Sequence, residues 1–464
     1  MTDLREPGRP APGEARSPGP SVQSLLATDT RPVPPPLLEE SYEYLGSEDI
    51  GKDRYLSPEF HRREVERLWK KVWQLACREE DIPEPGDYIV YDIADLSMIV
   101  VRTRGGEIRA YHNACLHRGT RLCDGTGQAQ QLRCPFHGFT WNLDGALTDV
   151  PSRWDFPHVE DEKFALPQAK TGVWAGFVFV NPDPDAGPLP AYLGGIEKHF
   201  SYFKLEERFK AVHVAKVIAC NWKVALEAFI ESYHVISTHP QLLEYLGDSN
   251  TQYDVYRGAD GQPGFNRMIT PQAINSPHLE TLEPQDVLEA MFRDFYPEGV
   301  GAIHVPEGQA ARPVVAEALR RRLAETSGAD VSVFSDAEIV DAIEYFVFPN
   351  MCPWAGVGAP ITYRFRPYGN DPDQCVMDIM LLVPLPPGVP KPKGAPIHWL
   401  GVDEDFGAAP ELGGLVPVFN QDLSNLPRVQ RGLKAMTKPG VTLADYQEVR
   451  IRQFHQDLDR YLAD

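Results

Sequence analysis

Two cysteine–histidine pairs carry the clearest chemistry in this chain. Cys115-Leu116-His117 and Cys134-Pro135-Phe136-His137 are separated by sixteen residues, giving the pattern C-x-H-x16-C-x-x-H. Two thiolates and two imidazoles can hold one [2Fe–2S] cluster, with the cysteines on one iron and the histidines on the other. A neutral imidazole in place of a thiolate leaves the cluster less negative and raises its potential. That suits a carrier feeding an oxidation rather than a strong reductant. A Cys2His2 zinc site uses the same ligand types, although zinc modules usually pair cysteine with cysteine and histidine with histidine. Cys123, Cys77, Cys220, Cys352 and Cys375 have no histidine at ligand spacing and read as buried thiols.

A second set lies in Asn221-Trp222-Lys223-Val224-Ala225-Leu226-Glu227-Ala228-Phe229-Ile230-Glu231-Ser232-Tyr233-His234, with His239 five residues on. The run is helical in composition, so Glu231 and His234, three apart, are neighbours on one helix face. His239 precedes Pro240, which disfavours helical geometry there and lets the chain fold back toward His234. H-x4-H alone is a weak signal, usually incidental. Two histidines and one carboxylate can bind Fe(II) on one face and leave positions open. The carboxylate can come from far along the chain. Asp422, just ahead of the helical-looking stretch 423–433, is the best candidate, although read alone it is an ordinary helix N-terminal carboxylate.

These residues need elements to position them. Ser57-Pro58 opens a helix as N-cap and first turn, and Val65, Leu68, Trp69, Val72 and Trp73 form one apolar face. Strands follow at 88–93 and 97–102, then Gly105-Gly106 turns into 108–111; further β-rich runs occupy 139–143 and 173–181. Each cysteine–histidine pair follows a strand, so both can sit at hairpin tips. Residues 75–185 therefore read as a small antiparallel β domain, linked through 187–195 to a larger domain, 186–464. That domain has helices at about 222–237, 314–326, 336–343 and 443–462 and strands at about 361–367 and 375–384. Residues 41–74 form a helical segment packing on it. Residues 1–40, rich in proline, read as a disordered tail. Without regular βαβ alternation the fold class is α+β.

Composition removes several functions. The net charge of −21, without a basic stripe, repels phosphate backbones, so no nucleic-acid partner is expected. No run of eighteen apolar residues is present, so no membrane span is expected. Seven cysteines without a secretory signal point to a reducing cytoplasm.

Taken together, Asn113-x-Cys115-x-His117-Arg118-Gly119 and Cys134-Pro135-Phe136-His137-Gly138-Phe139-Thr140-Trp141 resemble the Rieske motif of ring-hydroxylating oxygenases. Asn221-Trp222-Lys223…Glu227…Glu231-x-Tyr233-His234-x4-His239 resembles the mononuclear iron motif of the same family. Phe348-Pro349-Asn350 and Asp422…Gln430-Arg431-Gly432-Leu433 match later landmarks in order. The resemblance runs from about residue 40 to the C-terminus. It implies a helix-grip-like catalytic domain, an antiparallel sheet flanked by helices. It also implies a [2Fe–2S] cluster on Cys115, His117, Cys134 and His137, and Fe(II) on His234, His239 and Asp422. Glu231 takes the bridging position between His234 and a neighbouring subunit's His137. The implied partners are O2, a small organic substrate, and a ferredoxin or flavin reductase. The implied assembly is a homotrimer of α subunits, with or without β subunits.

Two departures from the family pattern bear on substrate. Glu rather than Asp at the bridge resembles the branch acting on quaternary amines, and Ala228 stands where many members have Asn. The expected substrate is aromatic or otherwise cyclic and hydrophobic, with a quaternary amine or a methyl group as the alternative. Phe229, Ile230, Phe348 and Met380 are candidate pocket residues, and residues 241–344 a candidate lid.

Overall fold

Alternating side chains and tight glycine turns build the amino-terminal β unit. In the computed structural model, which describes residues 13–259, 261–295 and 303–463, a seven-stranded antiparallel sheet runs through residues 74–181. Its spatial order is Gln74–Arg78, Phe177–Asn181, Gln168–Trp174, Ile108–His112, Leu96–Arg102, Asp87–Ile93, Thr126–Gln128. A second sheet of three short strands, Leu132–Arg133, Thr140–Trp141 and Leu147–Asp149, packs beside it around Ile99, Val101, Phe139 and Trp141. The run expected as one strand at 173–181 is a hairpin. Ala175 and Gly176 both take positive φ (52° and 78°), the backbone that a tight two-residue turn requires. A Cβ at Gly176 would meet the Arg78 guanidinium at 2.7 Å, so only glycine fits that turn.

The larger sheet has eight strands, in order Gln252–Tyr256, Phe265–Thr270, Ala342–Val347, Met351–Pro353, Ile361–Tyr368, Asp371–Pro384, Arg208–Ile218, His398–Leu400. All pairs are antiparallel except the last. Helices Trp222–Ala228, Val416–Ala435 and Val449–Leu462 pack against it, so the architecture is α+β, antiparallel sheet with helices. The segment 241–344 supplies two strands of this sheet and the helices Pro284–Phe295, Ala311–Ser327 and Asp336–Val340. Among the described residues no helix is long and apolar enough to cross a membrane.

Three further sequence expectations about the ends of elements and the opening segment need correction. Of the supposed tail, residues 1–12 lie outside the described residues, but 13–40 are ordered against the body. Val22, Leu26 and Leu37 are buried, Asn250 Nδ2 donates to the carbonyls of Pro18 and Pro20, and Asp29 pairs with Arg312 at 3.3 Å. A few apolar anchors plus satisfied polar groups outweigh a composition that looks too polar to fold. The final helix begins at Val449 rather than 443; ahead of it Gly440–Val441 pairs with Ile50–Gly51, and the N–H of Ala444 is taken by the Glu448 carboxylate instead of a helical carbonyl. The short helix Asp336–Val340 stops before 343, where strand Ala342–Val347 begins.

Candidate metal centres and cavity

The two cysteine–histidine loops are built alike. In each, the cysteine N–H donates to the carbonyl five residues on: Cys115 to Thr120 and Cys134 to Phe139, both 2.8 Å. The glycine four residues on, Gly119 or Gly138, donates back to the cysteine carbonyl with φ near +80°. This winding turns backbone N–H groups toward the sulfurs, those of His117 and Arg118 on Cys115 and those of His137 and Phe136 on Cys134. Burial pushes the Cys115 thiol up. For Cys134 burial acts the same way, but the N–H groups win and hold its thiol below the ordinary value. Asn113, which the sequence reading quoted without a role, braces the first loop. Its Oδ1 accepts from the N–H groups of Leu122 and Cys123, and its Nδ2 donates to the Cys123 carbonyl at 2.8 Å.

The four side chains converge. The sulfurs are close enough to interact, and the His117 and His137 ring centroids are 4.7 Å apart. His117 stacks on Phe139, and its Nδ1 is buried with no hydrogen-bond partner. A buried imidazole nitrogen left unpaired costs free energy unless something binds there. An orphaned nitrogen beside two sulfurs that accept N–H bonds fits a [2Fe–2S] cluster, whose charge such donors stabilise. His137 and Phe136 are exposed at the tip.

The second centre sits where a helix is interrupted. Asn221 caps the helix Trp222–Ala228 through its side chain, and the fully buried Lys223–Glu64 pair, 2.7 Å, ties that helix to Pro58–Glu64. Removing one partner of such a pair costs about 3–5 kcal/mol. The sequence suggested one helix through 237, but it breaks after Ala228 and restarts at Val235. Glu231 is the cause we identify: its Oε2 accepts the backbone N–H groups of Tyr233 and His234, satisfying the start of the next turn. Its Oε1 lies 2.6 Å from His234 Nδ1. The Glu231–His234 contact therefore exists without the continuous helix face that suggested it.

His239 ends the short helix Val235–Thr238, and its Nδ1 lies 2.8 Å from Gln421 Oε1, to which Gln241 also donates. Both imidazoles thus turn Nε2 toward Asp422 Oδ1, at 3.6 Å from His234 and 3.0 Å from His239. The three ligand atoms lie within 4.8 Å of one another, a group able to hold a metal ion. Burial alone would lower the His234 pKa, yet Glu231 and then Asp422 raise it to about 9. Asp422 is not at a helix N-terminus: the helix Val416–Ala435 begins earlier, with Pro417 in its first turn. Gln421 and Gln241 were missed; the available signals were the adjacency of Gln421 to Asp422 and of Gln241 to the His239-Pro240 pair.

A cavity of about 340 Å³ opens on this triad. Leu415, Val418, Phe419 and Asp422, one face of a helix at i, i+3, i+4, i+7, form one side. The sheet forms another through Met268, Thr270, Ala342, Glu344, Ile361, Tyr363 and Leu381, alternate residues on one sheet face. The segment 241–344 closes it with Leu242, Leu246, Met291, Leu319 and Val340. Of the four candidate pocket residues, only Phe229 lines it. Met380 points to the opposite sheet face from Leu381, Ile230 is wholly buried, and Phe348 packs on Phe454 and Tyr461.

Residues 198–464 match the family model described as ring hydroxylating alpha subunit (catalytic domain), and residues 72–160 match the Rieske [2Fe-2S] domain. The chain is 34% identical over 192 residues to the alpha subunit of biphenyl 2,3-dioxygenase from Rhodococcus jostii (strain RHA1), 40% of this chain and 42% of that protein. It is 26% identical over 268 residues to the carnitine monooxygenase oxygenase subunit of Acinetobacter pittii (strain PHEA-2), 57% of this chain and 70% of that protein. The match thus spans less than half of the first dioxygenase subunit. Among solved structures, a quaternary ammonium Rieske monooxygenase with L-carnitine superposes with TM-score 0.61 at 18% identity, covering 90% of this chain and 96% of that one. Naphthalene 1,2-dioxygenase from Rhodococcus sp. gives 0.59 at 22%, covering 90% and 95%. The catalytic-domain match over more than half the chain shows the lineage: this protein belongs to the ring-hydroxylating alpha subunit family, with a Rieske [2Fe-2S] domain ahead of its catalytic domain.

Proposed function

We propose that the chain is the terminal component of a Rieske oxygenase that hydroxylates an aromatic or other hydrophobic cyclic substrate with O2. The observation carrying this is the His234–His239–Asp422 triad at the end of an apolar cavity, in a chain that also gathers two cysteines and two histidines. In this reading Cys115, His117, Cys134 and His137 hold the cluster, and His234, His239 and Asp422 hold Fe(II). When bound, the cluster passes single electrons and the mononuclear iron activates O2.

The chain's own residues supply the rest. Three protein ligands leave coordination positions open toward the cavity. Gln421 and Glu231 fix the two imidazoles by binding Nδ1, which leaves Nε2 for metal. Glu231 Oε1 accepts the Nδ1–H of His234, which keeps that proton on the side of the ring away from the other two members of the triad. The apolar walls exclude water and seat the substrate. Electrons come from a separate ferredoxin or flavin reductase. The exposed tip at Phe136 and His137 suits docking on a neighbour, with Glu231 meeting the partner subunit's His137 in a homotrimer; β subunits are compatible with this. Seven free cysteines support a cytoplasmic setting.

A second reading, oxygenation of a quaternary amine, is favoured by glutamate at position 231. The test of the main reading is anaerobic reconstitution followed by iron analysis, optical spectra and a substrate-dependent O2-uptake screen. About three irons per chain with a reducible cluster are expected from this ligand set. A colourless protein holding stoichiometric zinc would sink it.

A further inference from the structure

The cavity lining is mostly apolar; beside the triad, polar side chains reach it from Ser232, Thr270 and Gln272, and one further polar place stands out on the sheet wall. Glu344 lies on the sheet wall, 1% exposed, directly across the ladder from Trp354. Arg450, itself wholly buried, sits behind Glu344 at 3.1 Å and also donates to Asn266 Oδ1 and to the Ile230 carbonyl. The carboxylate's charge is thus already matched from within the wall. Burial raises the Glu344 pKa to about 7 against the opposing pull of Arg450, and the nearby indole N–H of Trp354 closes no hydrogen bond of ordinary geometry. Tyr363 also lines the cavity, with its ring edge-on to that of Trp354 at 6.1 Å between centroids. A carboxylate and an unpaired donor buried in a wall are expensive unless a ligand completes them.

Resting on the oxygenase reading above, we propose that Glu344 and Trp354 anchor a hydroxyl group on an otherwise apolar cyclic substrate. The O–H donates to the carboxylate, and the indole N–H donates to the same oxygen. A hydroxyl is the small group that uses both an acceptor and a donor at one point. A cation fits less well, because Arg450 already neutralises Glu344. The anchor would orient the substrate across the cavity with the apolar ring held between the anchor and the triad, and it would disfavour plain hydrocarbons.

The experiment is calorimetric titration of the iron-loaded protein with 2-indanol, indane and benzyltrimethylammonium. Wild type is compared with Glu344→Gln, Trp354→Phe and a double variant, Glu344→Met with Arg450→Met, which leaves no unpaired buried charge. Expected is a roughly tenfold weakening of 2-indanol in the Glu344 variants, the worth of one hydrogen bond to a charged acceptor, and a smaller weakening in Trp354→Phe. Indane should stay within about twofold throughout, the spread expected when no polar contact is lost. Equal weakening of indanol and indane, no measurable binding of either, or tightest binding of the ammonium ion lost in Glu344→Gln would each overturn the anchor. Iron content and the cluster spectrum are read on the same samples, so loss of iron sites would sink the oxygenase reading instead.

Discussion

The two candidate metal centres are held together by different means. The cysteine–histidine loops are local and backbone-built: two copies of one winding, each closed by N–H donors and a glycine with positive φ. The triad is long-range and held by side chains, its members drawn from 234, 239 and 422 and fixed by Glu231, Gln421 and Gln241. A backbone cradle keeps its shape when one side chain changes. A side-chain network passes each change to its neighbours. The first region should therefore fail only when a ligand is lost, and the second should fail by degrees.

Substitutions can break or sharpen that contrast. Cys134→Ala should remove the visible cluster spectrum altogether while leaving mononuclear iron bound, as metal analysis would show; retention of the spectrum would break the assignment. His234→Ala should cut product formation by more than about 100-fold, beyond the loss typical of an outer partner, with the cluster spectrum unchanged. Gln421→Leu, which frees His239 Nδ1, should weaken Fe(II) affinity by about tenfold, measured by competition with a chelator, and keep the cluster intact. Asn113→Ala should lower stability by about 1–3 kcal/mol, since it strands the buried N–H groups of Leu122 and Cys123, with its effect on thermal unfolding rather than on Fe(II) affinity. If Gln421→Leu were silent, or if Asn113→Ala altered Fe(II) binding, the graded-versus-local distinction would fail.

The same contrast explains what could be read before the fold was known. Within each loop the cysteine and histidine sit two or three positions apart, so spacing alone brought out Cys115, His117, Cys134 and His137 as a candidate metal set. Asp422 could be argued only by resemblance, because Asn420-Gln421-Asp422 mimics a helix start and Pro417, the truer signal, stands earlier. The break after Ala228 was hidden because composition continues helical through it, and only the fold of Glu231 onto the backbone of Tyr233 and His234 interrupts it. Met380 was misassigned for a simpler reason. Strand residues alternate faces, and one sequence does not say which face meets the cavity. Glu344 and Trp354 had no signal in sequence, since their pairing depends on strands that meet only in the sheet.

The ordered opening segment has a practical consequence. Asp29 accepts the N–H of Ala337 and pairs with Arg312, and Thr30 hydrogen-bonds Asp336, so residues near the start of the chain brace the same helices that roof the cavity. Trimming this proline-rich leader for expression would loosen the ceiling over the bound molecule. Shortened proteins should trade ligand faster while the cluster colour and the total iron content stay unchanged.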